Sequence, residues 1–182
     1  MDIRIEKTEK AIKNAFLELR SKKTLEKITI KELCQSACIN KSTFYAHYND
    51  IYALSESLET ETVRTIISNM PHVQDYSVHN PDIFTKELFF AFMSNLSLIN
   101  ILFSGKERYH LANHLEVELK KLIFQKYPEY ESDVKMNILL SYCIQGAYHA
   151  YLNNQSVDEE ILAQSLAEIV DRLQPLCQRD EV

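Results

Sequence analysis

The twenty residues from Thr29 to Tyr48, TIKELCQSACINKSTFYAHY, constrain the fold of this chain more than any other stretch. Thr29 precedes an apolar-periodic run and Glu32 follows three residues later, which is the spacing of a helix capping box. Asn40 is suited to cap a second short helix, in which Phe44 faces inward. The pattern predicts a helix-turn-helix, whose second helix enters the major groove of DNA.

The outward face of that second helix carries polar and basic side chains and no carboxylate, which suits a polyanion. Its residues are Lys41, Ser42 and Tyr45, with Thr43 and His47 on the flank.

The longer run ITIKELCQSACINKSTFYAHYNDIYAL resembles the N-terminal signature of the tetracycline-repressor (TetR) family of bacterial transcriptional regulators. Thr43, Phe44, Tyr45 and Tyr48 match the family's recognition helix in order. The resemblance implies a homodimeric regulator, a repressor rather than an enzyme, that binds double-stranded DNA at a pseudo-palindromic operator. It also implies DNA contacts by Lys41, Ser42, Thr43, Tyr45 and His47. We expect Lys41 and Ser42 to reach base edges, and the other three to touch phosphate or a thymine methyl.

Two positions depart from the family pattern. Cys38 stands where glycine is usual, so the turn must tolerate a Cβ atom. Ile51 stands where a lysine often contacts phosphate. We expect the free N–H groups at the start of the next helix to offer a phosphate site in its place.

The charge of the chain is divided between a basic head and an acidic body. Residues 1–49 carry ten Lys and Arg against six Asp and Glu, and the remainder carries ten against twenty. This asymmetry orients the basic head toward DNA.

With two glycines, four prolines and no sustained alternation of apolar and polar residues, the chain is expected to be all-α. We expect it to be cytoplasmic, because it shows neither a membrane span nor a signal peptide.

The expected organisation is a helix-turn-helix domain over residues 1–50, a connecting helix over 51–69, and a helical regulatory and dimerisation domain over 70–182. In the first helix, Ile5 is assigned to the apolar stripe and Arg20 to the exposed basic face. The other helices are predicted over residues 81–97, 106–127, 133–154 and 157–176, the last capped by Ser156.

The last two predicted helices are apolar over more than one core-facing stripe, so another chain is expected to cover part of them. In the TetR family the corresponding pair forms a four-helix dimer interface. The segment YCIQGAYHAYLNNQSVDEE also loosely resembles the C-terminal domain of regulators of the dihydroxyacetone-kinase type.

A small-molecule effector is expected in the second domain. The side chains assigned to its cavity combine aromatic area with a few polar groups: Phe89, Phe92, Leu102, Tyr109, Tyr142, Gln145 and His149. The polar ones could equally cross the dimer interface or face solvent. In that case the alternative is a protein-interaction module without an enclosed pocket.

Other chemistry has weaker support. No catalytic motif is recognisable by spacing, and neither a metal nor a cofactor is expected. His110 and His114 share a helix face, with Glu118 as the only nearby third ligand, and a solvated or hydrogen-bonded face is the stronger interpretation. Cys34 and Cys38 either meet the need for small residues where helices cross or form a thiol switch, and the first is favoured.

Overall fold

A computed structural model describes residues 3–73, 76 and 80–177 of the 182-residue chain, except the side chains of Lys106 and Cys177. Within these residues every regular element is helical, which confirms the all-α prediction. The α-helices are α1 (Ile3–Arg20), α2 (Ile30–Ser36), α3 (Lys41–His47), α4 (Ile51–Ser68), α5 (Pro81–Ser94), α6 (Leu96–Leu102), α7 (His110–Lys126), α8 (Val134–Asn153) and α9 (Glu159–Leu173).

The chain divides into two compact units, and the division passes through α4 between Thr62 and Val63. The first unit runs up to Thr62 and also contains Ser97–Tyr109. The second contains Val63–Leu96 and the chain from His110 onward. The expected boundaries at residues 50 and 70 assigned all of Ser97–Tyr109 to the second domain. In the structure α6 and the 3₁₀ turn after it, Gly105–Tyr109, belong almost entirely to the first unit.

The first unit is built on α1, α2 and α3, with α1 packed on α2 and α2 on α3. Its core consists of side chains that are fully shielded from solvent, namely Ile12, Phe16, Leu33, Phe44 and Leu54. Burial of each such side chain contributes about 1.5–3 kcal/mol, which is enough to hold short helices that would not be stable alone.

Two assignments in the first helix were wrong. Ile5 is 48% exposed and lies outside the core. Arg20, expected on the surface, is only 3% exposed. Its guanidinium is satisfied in part by carbonyl oxygens at the ends of other segments, which the 3.6-residue period of one helix cannot reveal.

The second unit pairs α5 with α9 and α7 with α8. The N-cap of α8 is Asp133, whose carboxylate accepts the N–H of Met136 at 3.0 Å. The N-cap of α9 is Asp158 rather than the expected Ser156, because the Asp158 carboxylate accepts the N–H groups of Glu160 and Ile161. Among the described residues, no helix combines the length and apolar character needed to cross a membrane.

Candidate nucleic-acid interface and ligand cavity

The N-cap of α2 is Thr29, whose hydroxyl oxygen accepts the backbone N–H of Glu32 at 3.3 Å. The carboxylate of Glu32 binds the ammonium group of Lys23 at 2.6 Å instead of completing the capping box. The predicted cap residue is therefore correct, and Glu32 also ties the segment after α1 to α2.

The turn after α2 is a Schellman motif. The N–H of Ile39 donates to the carbonyl of Cys34 at 3.0 Å, and the N–H of Cys38 donates to the carbonyl of Gln35 at 3.3 Å. Cys38 has φ +54°, the left-handed conformation that favours glycine. The chain thus keeps the backbone geometry expected of the turn with a residue that carries a Cβ atom.

Asn40 caps α3 as predicted. Its side-chain oxygen accepts the backbone N–H of Thr43 at 2.7 Å, the hydroxyl of Ser42 at 2.7 Å and the hydroxyl of Thr43 at 2.8 Å. The cap stabilises the short helix by about 1 kcal/mol. It also fixes the two hydroxyl hydrogens, so the oxygens of Ser42 and Thr43 are left to act as acceptors.

Helix α3 presents a polar outer face held by a buried anchor. Phe44 is fully buried, whereas Lys41, Ser42 and Tyr45 are exposed. Thr43 and His47 are half-buried. The ring of Tyr45 meets that of Phe44 edge to face at 5.5 Å, which orients the exposed tyrosine. All five residues predicted to contact DNA therefore lie on one side of α3 or on its flank.

The base of α3 is connected to α1 through Tyr48, which is half-buried. Burial raises the pKa of the Tyr48 hydroxyl, and the nearby Glu9 raises it further. The pKa of Glu9 is lowered, chiefly by its hydrogen bond with Lys13. Tyr48 therefore remains a neutral phenol, and an ion-paired carboxylate lies behind α3 rather than on its outer face.

The start of α4, where a phosphate site was expected, carries an acidic cap. Ile51 is only 7% exposed and belongs to the core. The carboxylate of Asp50 accepts the N–H of Ala53 at 2.7 Å and so places a negative charge at the N-terminus of the helix. This carboxylate would repel a phosphate at the same N-terminus, and the expected phosphate site stays a prediction.

The two cysteines of the first unit have different surroundings. Cys34 is buried, and burial raises the pKa of its thiol. Cys38 is exposed in the turn. A raised pKa reduces the thiolate fraction on which oxidation depends, so the packing interpretation of Cys34 is favoured over a thiol switch.

The second unit contains a partly open cavity of about 160 Å³ between α5, α7, α8 and α9. Its lining is almost entirely apolar: Tyr76, Pro81, Phe84, Thr85, Leu88, Phe89, Phe92, Leu115, Leu119, Ile123, Met136, Leu139, Leu140, Cys143, Ile144, Ala147, Tyr148, Tyr151, Leu166, Val170, Leu173 and Gln174.

Of the seven side chains predicted to line a cavity, Phe89 and Phe92 do so. The other five do not contribute to this cavity. Leu102 is buried in the first unit, and Tyr109 and Tyr142 are 66% and 67% exposed. His149 is exposed, and Gln145 donates to Asn113 at 3.0 Å and to Glu116 at 2.9 Å. The polar stripe of α8 lies on the side away from the cavity, and its apolar stripe lines the space.

Polar side chains of α7 and α8 form hydrogen bonds with one another. The Glu116 carboxylate accepts from Lys120 at 2.8 Å, Ser141 at 2.6 Å and Gln145 at 2.9 Å. Burial raises the pKa of Glu116, but these hydrogen bonds outweigh it and bring the pKa down to about 2.

Glu118 was considered above as the third ligand of a metal site with His110 and His114. Arg64 donates to both of its carboxylate oxygens, at 2.8 and 3.1 Å, and Lys121 donates to one of them at 2.8 Å. Among the described residues no group of three metal-binding side chains is assembled with His110 and His114.

No protein-family model matches the sequence, and no curated protein matches it. Among solved structures, the chain is similar to RolR without ligand, with TM-score 0.55 and 12% identity over 93% of this chain and 96% of RolR. It is also similar to a gamma-butyrolactone receptor described as an ArpA-like protein, with TM-score 0.49 and 16% identity over 94% and 99% of the two chains. The likeness to RolR establishes the fold, and function has to be argued from the site.

Proposed function

We propose that this chain, which has the fold of TetR-family transcriptional regulators as its sequence signature implied, is a homodimeric repressor that leaves its operator when a small molecule binds. The observation that carries the proposal is the outer face of α3. There a helix anchored by buried Phe44 and capped by Asn40 exposes Lys41, Ser42 and Tyr45.

These three side chains match the needs of major-groove recognition. A lysine ammonium donates to guanine acceptors, the serine hydroxyl oxygen accepts from a base amino group, and an aromatic ring contacts a thymine methyl. On the flank, His47 is suited to phosphate, and the methyl group of Thr43 is suited to a thymine methyl. The net positive charge of residues 1–49 supplies the sequence-independent part of the affinity.

The proposed dimer uses α8 and α9. Val134, Ile138 and Tyr142 follow one another at four-residue intervals on α8 and are 65–72% exposed. On α9, Ile161 and Ile169 are 61% and 55% exposed. A second copy that covers both stripes would remove this apolar surface from water and place two copies of α3 on one operator.

The proposed effector site is the cavity of the second unit, with the lining given above rather than the seven predicted side chains. Its presence favours a small-molecule regulator over a protein-interaction module. A ligand releases the operator only if it binds one arrangement of the dimer better than the other, so ligand and operator must weaken each other's binding by the same factor.

The decisive experiment is an electrophoretic mobility shift with the purified protein and DNA from its own promoter region, repeated between 50 and 200 mM salt. A specific complex that weakens steeply with salt is expected. Failure to prefer that DNA over random sequence, at every salt concentration, would contradict the proposal.

A further inference from the structure

One wall of the cavity is an aromatic cluster formed by α5 and α8. The ring of Phe92 meets those of Tyr148 and Tyr151 edge to face at 6.4 and 5.1 Å, and the ring of Phe89 meets Tyr151 in the same way at 6.2 Å. Edge-to-face packing fixes the orientation of each ring. The wall is therefore a preformed apolar surface suited to another ring or to a hydrocarbon group.

Among the described residues, those that line the cavity carry no formal charge at neutral pH. The acidic groups of α7 are engaged elsewhere, since Glu116 binds Lys120, Ser141 and Gln145, and Glu118 binds Arg64. A charged group placed inside the cavity would lose hydration and, among the described lining residues, meet no side chain of opposite charge. Burial of an unpaired charge is among the most unfavourable events in a protein interior.

In the described chain, no side-chain atom of the lining is both buried and without a hydrogen-bond partner. The Thr85 hydroxyl donates to the carbonyl of Pro81 at 2.7 Å within α5. In the described chain, the buried side-chain atom left without a partner is Nε of Arg20, which belongs to the first unit. Recognition in this cavity therefore depends mainly on shape and apolar contact, and the polar groups on its lining are tyrosine hydroxyls, the Thr85 hydroxyl and the Gln174 amide.

The volume sets the size of the part of a ligand that the cavity can enclose. Drug-sized molecules occupy pockets of about 300–1,000 Å³, whereas an apolar cavity of about 150 Å³ is known to take up benzene. With a volume of about 160 Å³, this cavity is comparable to the one that takes up benzene.

We infer that this cavity binds an uncharged, mainly apolar molecule about the size of a single substituted ring, and discriminates against anions and cations of the same shape. The inference rests on the proposed function only in naming that molecule as the effector.

The test uses three probes with one ring and different charge: toluene, benzoate and benzylammonium. Thermal unfolding of the full-length protein is followed at rising probe concentration, since a ligand that binds the native state raises Tm by mass action. Toluene should raise Tm in a saturable way, and the two ions should bind at least tenfold more weakly.

Matched variants locate the binding. Ala147→Leu adds carbon atoms inside the cavity, and Val170→Leu does so from α9; each should weaken toluene binding at least tenfold. Ala150→Leu makes the same change on α8 at a residue outside the lining and should leave toluene binding intact.

The inference is overturned if benzoate or benzylammonium binds as well as toluene, if toluene does not raise Tm, or if toluene binding persists undiminished in the filled variants that fold. Because this readout involves no DNA, a protein that binds toluene but not its promoter DNA would refute the proposed regulator alone. A protein that binds DNA but not toluene would refute the ligand class alone.

Discussion

The guanidinium of Arg20 donates a hydrogen bond to the backbone carbonyl of Leu102 across 2.8 Å, and so joins the end of α1 to the end of α6. The same group donates to the carbonyl of Lys23 at 3.2 Å. Burial lowers the pKa of Arg20, and the carboxylates of Glu107, Glu59 and Glu26 act in the opposite direction. Arg20 is thus a buried cation that holds three segments of the first unit together.

Replacement of Arg20 by alanine should lower the free energy of unfolding by about 3 kcal/mol, because it leaves two carbonyls and the nearby carboxylates without their cation. Arg20→Lys should recover only part of this loss, since one ammonium cannot reproduce the planar guanidinium, whose two terminal nitrogens donate to two carbonyls. Urea denaturation measures both changes. The control Lys22→Ala removes an exposed pair with Glu18 and should have no measurable effect. Equal stability of Arg20→Ala and wild type would contradict this role.

Cys38→Gly should stabilise the protein. Relief of a left-handed conformation is worth about 1–2 kcal/mol, and the added flexibility of glycine in the unfolded chain costs about 0.5–1 kcal/mol. The net gain expected is therefore between about 0 and 1.5 kcal/mol, visible as a higher urea midpoint. Cys38→Ala removes the thiol but keeps the Cβ atom, so it should leave the midpoint unchanged. A gain in the alanine variant as large as that in the glycine variant would show that the thiol, not the backbone, limits stability.

Lys41→Ala should weaken binding to the operator by about 1–3 kcal/mol and binding to random DNA by much less, if Lys41 contacts a base. Titrations of both DNAs at one salt concentration measure the difference. Lys86→Ala removes a cation from α5 in the second unit and should change neither. An equal loss on both DNAs would reassign Lys41 to phosphate, and no loss on either would remove α3 from the interface.

Ile169→Glu should convert the dimer to a monomer and abolish tight operator binding, because a carboxylate would be buried in the proposed interface. Light scattering coupled to size exclusion gives the mass. Ile83→Glu on α5 is a matched control, since Ile83 is 57% exposed and Ile169 is 55% exposed. A dimeric Ile169→Glu protein would place the interface elsewhere. Leu166, one turn before Ile169, is unsuitable for this test because it is buried and lines the cavity.

Stability should fall between about pH 4.5 and pH 2 partly through Glu116. Its folded pKa of about 2 is below the ordinary 4.5, so its contribution is fully present above pH 4.5 and is lost as the pH falls toward 2. Glu116→Gln should flatten the dependence of the unfolding free energy on pH in this window. Exposed Glu131→Gln serves as the control. An unchanged slope in Glu116→Gln would show that the carboxylate is not stabilised by Lys120, Ser141 and Gln145.

The chain by itself determined the helix-turn-helix, because the signals there are local. The caps at Thr29 and Asn40, the inward Phe44 and the outward Lys41 all depend on neighbours within four residues, and period and capping chemistry were enough to place them. The unusual Cys38 was recognised from the pattern, and its positive φ follows from the geometry that a Schellman turn requires.

Tertiary structure decided what depends on contacts distant in sequence. Periodicity divides α8 into two faces, but only its packing on α7 and α9 shows that Ala147 lines the cavity while His149 does not. Leu102 and Arg20 were misplaced for the same reason, since a contact across 82 residues leaves no local trace. Apolar side chains predict that a core exists, whereas the space left between helices depends on how all four of them pack.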